Sequence, residues 1–301
     1  MIFAMTSVAR FLTVLLFALS FFSTGNTQTT HDLYKEGFDF LPEGLHFSPL
    51  KANAQEARIG VFKYFGTANL KVDIGNTIDI FGYNTPDSKI RAAMGIDFMA
   101  YAFVTGAQGL RLQVDALDGF FGGNVSLSKQ YEHNLLQFRL RILHLSAHLV
   151  DGHYELGARR WIDNREPIPF TKDFGELVAA HVLNPDENVF RYYGGISYAT
   201  LVRPTDLKRF GFLVGFEIGS KSLFGSVFSK PATPFLAAHF VLAGLPEYTG
   251  SIQTQFGVKF GEWNRKGVVF YLSHFNGNNL FSEYFDERVS IWGAGFTVDF
   301  N

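Results

Sequence analysis

The stretch Leu135–Arg160, LLQFRLRILHLSAHLVDGHYELGARR, alternates apolar and polar side chains on both sides of a turn signal. Asp151-Gly152 is typical of a two-residue hairpin, because such a turn needs positive φ at both central positions. The alternation changes phase near Ile142-Leu143, and one extra residue in a β-bulge would produce that change. The stretch therefore predicts a hairpin with one apolar face and one face of Arg, His, Ser and Glu, in which His148 lies opposite Glu155.

The same period of two continues from about Arg58 to the end of the chain, interrupted by turn-rich stretches. The segments are about 9–13 residues long, as a tilted strand that spans a bilayer requires. Apolar residues share one face of each segment, whereas glycine and charged residues share the other. A soluble sandwich would bury the apolar face, and a membrane barrel would turn it toward lipid.

These features predict an all-β fold over residues 57–301, a transmembrane antiparallel up-and-down β-barrel. We expect about 12 strands, with 10 or 14 as alternatives, because bacterial single-chain barrels have even strand numbers. Arg58–Phe65 and Phe174–Val182 carry the weakest of the strand patterns.

The last segment, Trp292–Phe300, has the dimensions of a membrane strand. It is roughly 26 Å long at about 3.3 Å per residue, and a tilt of about 40° reduces this to a height of about 20 Å. Outer-membrane barrels typically end on an aromatic residue that the insertion machinery reads, and Phe300 is one residue from the end of this chain. We therefore expect outer-membrane lipid and the insertion machinery as partners.

Residues 1–25 have the pattern of a secretory signal peptide, with Arg10 before the 12-residue apolar segment Phe11–Phe22. Twelve apolar residues are short for a membrane helix, which needs about 20. Residues 26–56 are polar and irregular and predict a periplasmic lead-in segment. Together with the strands, these features predict a porin-like protein of the Gram-negative outer membrane, from which the signal peptide is cleaved.

The composition argues against several classes of function. Lys and Arg number 26 against 28 Asp and Glu, so no excess of positive charge indicates nucleic-acid binding. The absence of cysteine removes disulfides, thiolate metal ligands, cysteine nucleophiles and a lipid anchor on an N-terminal cysteine. His148, His153 and Glu155 lack the tight spacing of zinc ligands, so we expect neither a metal nor a cofactor.

Polar residues on the predicted lumen face carry both signs of charge. Side chains can largely fill a barrel of about twelve strands, and a buried charge is costly unless it is paired. We therefore expect a narrow channel or a structural barrel with a charged, side-chain-filled lumen. The expected members of this polar network are Asp73, Asp79, Arg111, Asp115, Arg139, Arg141, His144, Ser146, His148, Glu155, Arg159, Arg191, Glu217 and Lys259.

Three segments together resemble an uncharacterised family of bacterial outer-membrane β-barrels. The first is the motif Arg-x-Arg-x-x-His-x-Ser-x-His-Leu, which spans Arg139–Leu149 and is followed by Asp151 and Glu155. In this chain three residues separate that acidic pair, which is adjacent in the family. The other segments are Arg191–Gly195 and Tyr284–Val289. The resemblance runs from about residue 47 to residue 300 and implies a fold and a location, but no activity.

The pair His144-x-Ser146 leaves a second function open. Outer-membrane phospholipase A and the lipid A deacylases use a His-x-Ser pair on a barrel strand, with a third residue that orients the histidine. Glu155 is the candidate for that third residue. Those enzymes present the pair to the membrane, whereas the predicted bulge turns His144 and Ser146 into the lumen. The direction of these two side chains therefore separates a lipid-ester hydrolase from a polar network.

Overall fold

The computed structural model describes residues 36–87, 89–107, 111–183 and 188–300, without the side chains of Ala107 and Arg111. The predicted signal peptide, residues 1–25, lies outside these ranges. Within these ranges the structure has one short α-helix, α1 (Lys221–Phe224), and sixteen strands. The strands are β1 (Gly37–Phe40), β2 (Ile59–Tyr64), β3 (Leu70–Asn84), β4 (Ile90–Ala107), β5 (Arg111–Gln130), β6 (Asn134–Leu149), β7 (Tyr154–Glu155), β8 (Arg160–Trp161), β9 (Thr171–Leu183), β10 (Asn188–Arg203), β11 (Phe210–Ser220), β12 (Ser226–Val227), β13 (Lys230–Gly244), β14 (Tyr248–Gly261), β15 (Gly267–Asn278) and β16 (Arg288–Asp299).

Twelve of the strands, β2–β6, β9–β11 and β13–β16, form a closed antiparallel barrel. Closure follows because β16 pairs with β15 on one side and with β2 on the other. The predicted all-β antiparallel barrel and its strand number are thereby confirmed, and the two weakest strand patterns form β2 and β9. Strands β1 and β12 pair with β3 and β13 outside this ring, and β7 pairs with β8 in a separate hairpin.

The outer wall of the barrel is mainly apolar. Along β11, Phe212 and Val214 are 48% and 54% exposed, while Leu213 between them is buried. The period of two therefore places one side chain inside and the next outside, as the pleat requires. Exposed apolar surface of this extent is typical of a surface that contacts a membrane or another protein. Among the residues described, helices of the length and apolarity needed to cross a membrane are absent.

The antiparallel order gives the barrel two distinct ends. Strand β2 begins and β16 finishes at one end, here called the terminal end, because Ile59 pairs with Val298. Strand β6 runs away from that end and finishes at Leu149, beside the connection of residues 150–170. The opposite end is here called the loop end.

Residues 43–58, here called the plug, pass through the barrel interior, a placement that the sequence did not predict. Leu50, Ala52 and Glu56 of the plug are almost completely buried. The plug has no regular structure of its own, so its backbone groups need partners from elsewhere. Barrel side chains supply them: Gln137 donates to the His46 carbonyl at 2.9 Å, and Arg141 donates to the Gln55 carbonyl at 3.1 Å.

The inner wall changes character toward the loop end, where it becomes apolar. Leu143, Leu145 and Ala147 of β6 pack in one buried cluster with Phe120, Phe174 and Phe281. On the same strand, nearer the terminal end, the inward residues are Gln137, Arg139 and Arg141. One face of β6 is thus polar beside the plug and apolar at the loop end.

The predicted bulge and hairpin in the stretch Leu135–Arg160 are wrong. Strand β6 keeps one register with β5 and with β9 along its length, so its side chains never change face. Asp151-Gly152 starts a 3₁₀ turn, Asp151–His153, rather than a two-residue hairpin. The predicted bulge would turn the apolar side chains of Leu143–Leu149 toward lipid. In the structure they face the lumen, because they pack against apolar residues of other strands and connections, which the sequence alone does not show.

Candidate functional site

The correction of β6 places His144, Ser146 and His148 on the outer wall and not in the lumen. Each of these side chains is partly or fully exposed, while Leu143, Leu145 and Ala147 between and beside them are buried. The outward face of β6 is apolar through Phe138, Leu140 and Ile142 and becomes polar from His144 onward. The three polar residues therefore lie where the apolar belt of the wall ends, near the loop end.

His144 forms a close pair with an acid that the sequence did not indicate. His144 on β6 is the register partner of Asp173 on β9, and His144 Nδ1 lies 2.6 Å from Asp173 Oδ1. The two side chains are 35% and 44% exposed. With Nδ1–H donated to the carboxylate, the imidazole presents Nε2 as its basic nitrogen.

Ser146 follows His144 at the next outward position of the same strand. Alternate residues of a strand share a face, so Ser146 and His144 lie on the same side of the wall. Within the described part of the chain, the Ser146 hydroxyl forms no hydrogen bond with the His144 ring. Catalytic contacts are commonly long without substrate, and rotation about the serine side-chain bond changes this distance.

The wall around Ser146 carries small side chains. Its register partners are Gly119 on β5 and Thr171 on β9, and Gly119 is in turn opposite Ala100 on β4. A Cβ built on Gly119 would lie 4.0 Å from Ser146 Oγ, so a side chain there would lie against the hydroxyl. The Phe121 ring packs on the His144 ring, on the side of the apolar belt, with 4.9 Å between centroids.

Two other expected site residues lie away from this wall. Glu155 is in the exposed hairpin of β7 and β8, where Arg160 Nε donates to Glu155 Oε2 at 3.2 Å. It therefore orients neither His144 nor His148. Arg159 is exposed in the turn of the same hairpin and has a φ of 53°. Asp173 was missed because its position opposite His144 depends on the course of the connection of residues 150–170.

Most of the remaining expected network lies on the inner wall. The buried members are Asp73, Asp79, Asp115, Arg139, Arg141, Arg191, Glu217 and Lys259, whereas the side chain of Arg111 lies outside the description. Some of their partners are barrel residues: Asp73 binds Lys71, and Lys259 Nζ is 2.5 Å from Asp299 Oδ2. Asp115 instead binds His153 and Tyr284, which lie in turns at the loop end.

The plug supplies a central acid of this network. Glu56 accepts two hydrogen bonds from Arg139, at 2.5 and 2.9 Å, and lies 3.7 Å from Arg141. Arg141 also binds Glu176 at 2.7 Å, so two arginines and two glutamates neutralise one another. Burial opposes ionisation of Glu56, but the charges of Arg139 and Arg141 outweigh it and lower the pKa of Glu56 to about 2.

His46 ties the plug to the wall near the terminal end. Its ring nitrogens lie 2.6 Å from Ser126 Oγ and 2.7 Å from Ser128 Oγ, and its backbone N–H donates to Asp79. Burial, followed by the charge of Arg91, lowers the pKa of His46 to about 4. The contact with Ser126 and Ser128 therefore holds the neutral form of the His46 ring.

Among the described residues, no group of three His, Asp or Glu side chains is close enough to hold a metal ion. A search of curated proteins returned no match to this chain. The model of one family, described as protein of unknown function DUF1207, matches residues 25–300. This match confirms the resemblance to an uncharacterised family. The chain therefore belongs to the family of proteins of unknown function DUF1207.

Proposed function

We propose that this protein is an outer-membrane β-barrel that hydrolyses lipid esters with Ser146, His144 and Asp173 on its outer wall. The observation that carries the proposal is the 2.6 Å contact between His144 Nδ1 and Asp173 Oδ1 beside the outward Ser146. Nucleophile, base and orienting acid are the three parts of an acyl-transfer site. Asp173 takes the role for which the sequence offered Glu155.

The apolar outer wall supports the membrane location. A closed barrel leaves no unpaired sheet edge, and the transfer of its outward apolar side chains from water to lipid costs no free energy. In a bacterial outer membrane both chain ends would lie in the periplasm, so the loop end would face outward. The triad would then lie at the level of the outer leaflet, beside the border between acyl chains and headgroups.

The closed lumen argues against the channel that the charged interior predicted. The plug occupies the interior, and the buried contacts of Glu56 with Arg139 and Arg141 hold it to the wall. A solute would have to displace these contacts in order to pass. A rigid, filled barrel is instead a suitable support for a site on its outer surface, because sites on strands hold their geometry better than sites on loops.

In the proposed reaction, Ser146 Oγ forms a bond with the carbonyl carbon of a lipid ester, and His144 Nε2 takes the serine proton. His144 then gives this proton to the departing alcohol as the ester bond breaks. A water molecule releases the acyl group from Ser146 by the same steps. Asp173 holds the ring and stabilises its charged form. The small residues Gly119 and Ala100 leave room for the ester beside the hydroxyl.

The test uses the folded, full-length protein in mixed micelles with a phospholipid that carries a fluorogenic acyl ester. We expect ester release and covalent labelling of Ser146 by a fluorophosphonate. Ser146→Ala should lose both signals while retaining the heat-modifiable mobility of a folded barrel. His148→Ala is the matched control, because His148 lies on the same strand and face but outside the triad. Equal hydrolysis by wild type and Ser146→Ala, or a folded sample that is not labelled, would refute the proposal.

A further inference from the structure

A cavity of about 170 Å³ lies inside the barrel near the loop end, between plug residues 53–55 and the connection of residues 279–285. Aromatic and aliphatic side chains form most of its wall, among them Phe120, Leu145, Phe170, Phe174, Phe275 and Phe285. Small-molecule sites are concave, mostly apolar and common in the mouths of barrels. They also need a few polar groups that fix the orientation of the ligand, and two of the polar residues that line this cavity are candidates.

The first polar group is the ammonium of Lys172, on the inner face of β9. It lies over the Phe174 ring, 5.1 Å from the centroid. As far as the described residues extend, it has no hydrogen bond or salt bridge. The acid that lines the same cavity, Glu176, is already bound by Arg141 at 2.7 Å. The Lys172 ammonium is therefore available to pair with an anion that enters the cavity.

The second polar group is the ring of His239 on β13. His239 is 4% exposed, and its Nδ1 is 3.0 Å from the Tyr193 hydroxyl. Its Nε2 is buried without a hydrogen-bond partner in the described part of the chain. Buried polar atoms are almost always satisfied, so an orphan atom in the wall of a cavity indicates a group that binds there.

We infer that this cavity binds a small monocarboxylate with a compact apolar body. The carboxylate would accept from Lys172, and the body would lie against the phenylalanine rings, with His239 across the cavity. A cavity of about 150 Å³ is known to hold benzene, so 170 Å³ suits a body of about one aromatic ring.

The site is separate from the triad although both use the same two strands. Leu145 and Lys172 are register partners that face inward, whereas Ser146 and Asp173 face outward. Loss of the triad would leave the cavity unchanged. The binding measurement and the hydrolysis measurement can therefore fail independently.

The probe is 4-fluorobenzoate, observed by ¹⁹F NMR with the folded full-length protein in a non-ionic detergent, against empty micelles. The neutral isostere 4-fluorobenzamide and the cation 4-fluorobenzylamine are measured in the same way. We expect the benzoate to bind at least about tenfold more tightly than the benzamide, the scale of one charge-assisted hydrogen bond. The amine should not bind.

The variant Lys172→Met keeps most of the unbranched side chain and removes its charge. It should weaken benzoate binding about tenfold or more and leave benzamide binding unchanged. Lys129→Met is the matched control, because Lys129 is an exposed lysine outside the cavity. Equal binding of benzoate and benzamide to the wild type would overturn the inference without any variant. So would binding of the amine alone, absence of benzoate binding, or unchanged benzoate affinity in a folded Lys172→Met.

Discussion

Replacement of Glu56 by glutamine should release the plug while the barrel wall stays intact. Glu56 holds the plug through Arg139 and Arg141, whose side chains are only 4% and 2% exposed. Glutamine keeps the size of the side chain but removes its charge. Arg139 would then be left with Glu176 at 3.9 Å as its nearest carboxylate.

The expected cost can be worked out in two ways. The pKa of Glu56 falls from 4.5 to about 2, roughly 2.5 pKa units, which corresponds to about 3 kcal/mol of stabilisation of the charged form. Mutational studies of buried ion pairs give about 3–5 kcal/mol when one partner is removed. We therefore expect Glu56→Gln to destabilise the docked plug by about 3 kcal/mol.

Hydrogen exchange measured by mass spectrometry can separate the plug from the wall. Backbone amides of residues 43–58 should exchange about a hundredfold faster in Glu56→Gln, since about 1.4 kcal/mol corresponds to a factor of ten. Strand amides should be unaffected. Planar-bilayer recordings of the same variant should show conductance events that the wild type lacks.

Glu43→Gln is the control, because Glu43 is an exposed residue of the same segment. The pH dependence gives an independent check. Since folding lowers the pKa of Glu56, its stabilisation is complete above about pH 4.5 and is lost as the pH falls toward 2. Equal plug exchange in Glu56→Gln and wild type at neutral pH would show that this pair does not hold the plug.

Three further predictions concern the wall, the triad and the plug. Val214→Arg should destabilise the barrel in lipid by about 2–4 kcal/mol, as measured by urea unfolding, because Val214 is 54% exposed on the apolar wall; a quencher in the lipid phase should reach a probe at position 214 and not at position 215. Asp173→Asn should lower the rate of ester hydrolysis at least about a hundredfold, because asparagine would hold the wrong tautomer of His144. The free energy of unfolding should change by less than about 1 kcal/mol, because the pair is partly exposed. Equal kcat in both proteins would contradict this role. Folding lowers the pKa of His46 from 6.5 to about 4, so its stabilisation of the plug is complete above about pH 6.5 and is lost as the pH falls through 4. Hydrogen exchange of the plug amides should therefore become faster over that pH range. His46→Gln should remove this pH dependence.

The barrel itself could be predicted because its period of two is a local property of the chain. Val214 and Phe256 lie on the apolar side of their alternating segments, and both are about half exposed on the outer wall, at 54% and 50%. The assignment failed on β6, where Leu143 and Leu145 are apolar because of contacts within the lumen. An alternating apolar pattern in the sequence does not show whether the apolar side chains face the lumen or the outside of the barrel.

The plug and the orienting acid could not be predicted for a different reason. Residues 43–58 look like an ordinary polar segment, and only the closed barrel around them gives Glu56 its arginine partners. Asp173 meets His144 across 28 intervening residues, and nothing local fixes that pairing. Both are long-range contacts that depend on the completed fold.

The plug runs directly into β2, and this continuity links the entry of the plug to the closure of the ring. β2 joins β3 through four residue pairs and β16 through six, whereas β15 and β16 share twelve. If the plug enters before the ring closes, only the few pairs of β2 remain to form around it; a plug that arrives later has to thread through an open end. In the first case assembly would finish at β2, where the fewest ladder hydrogen bonds have to form.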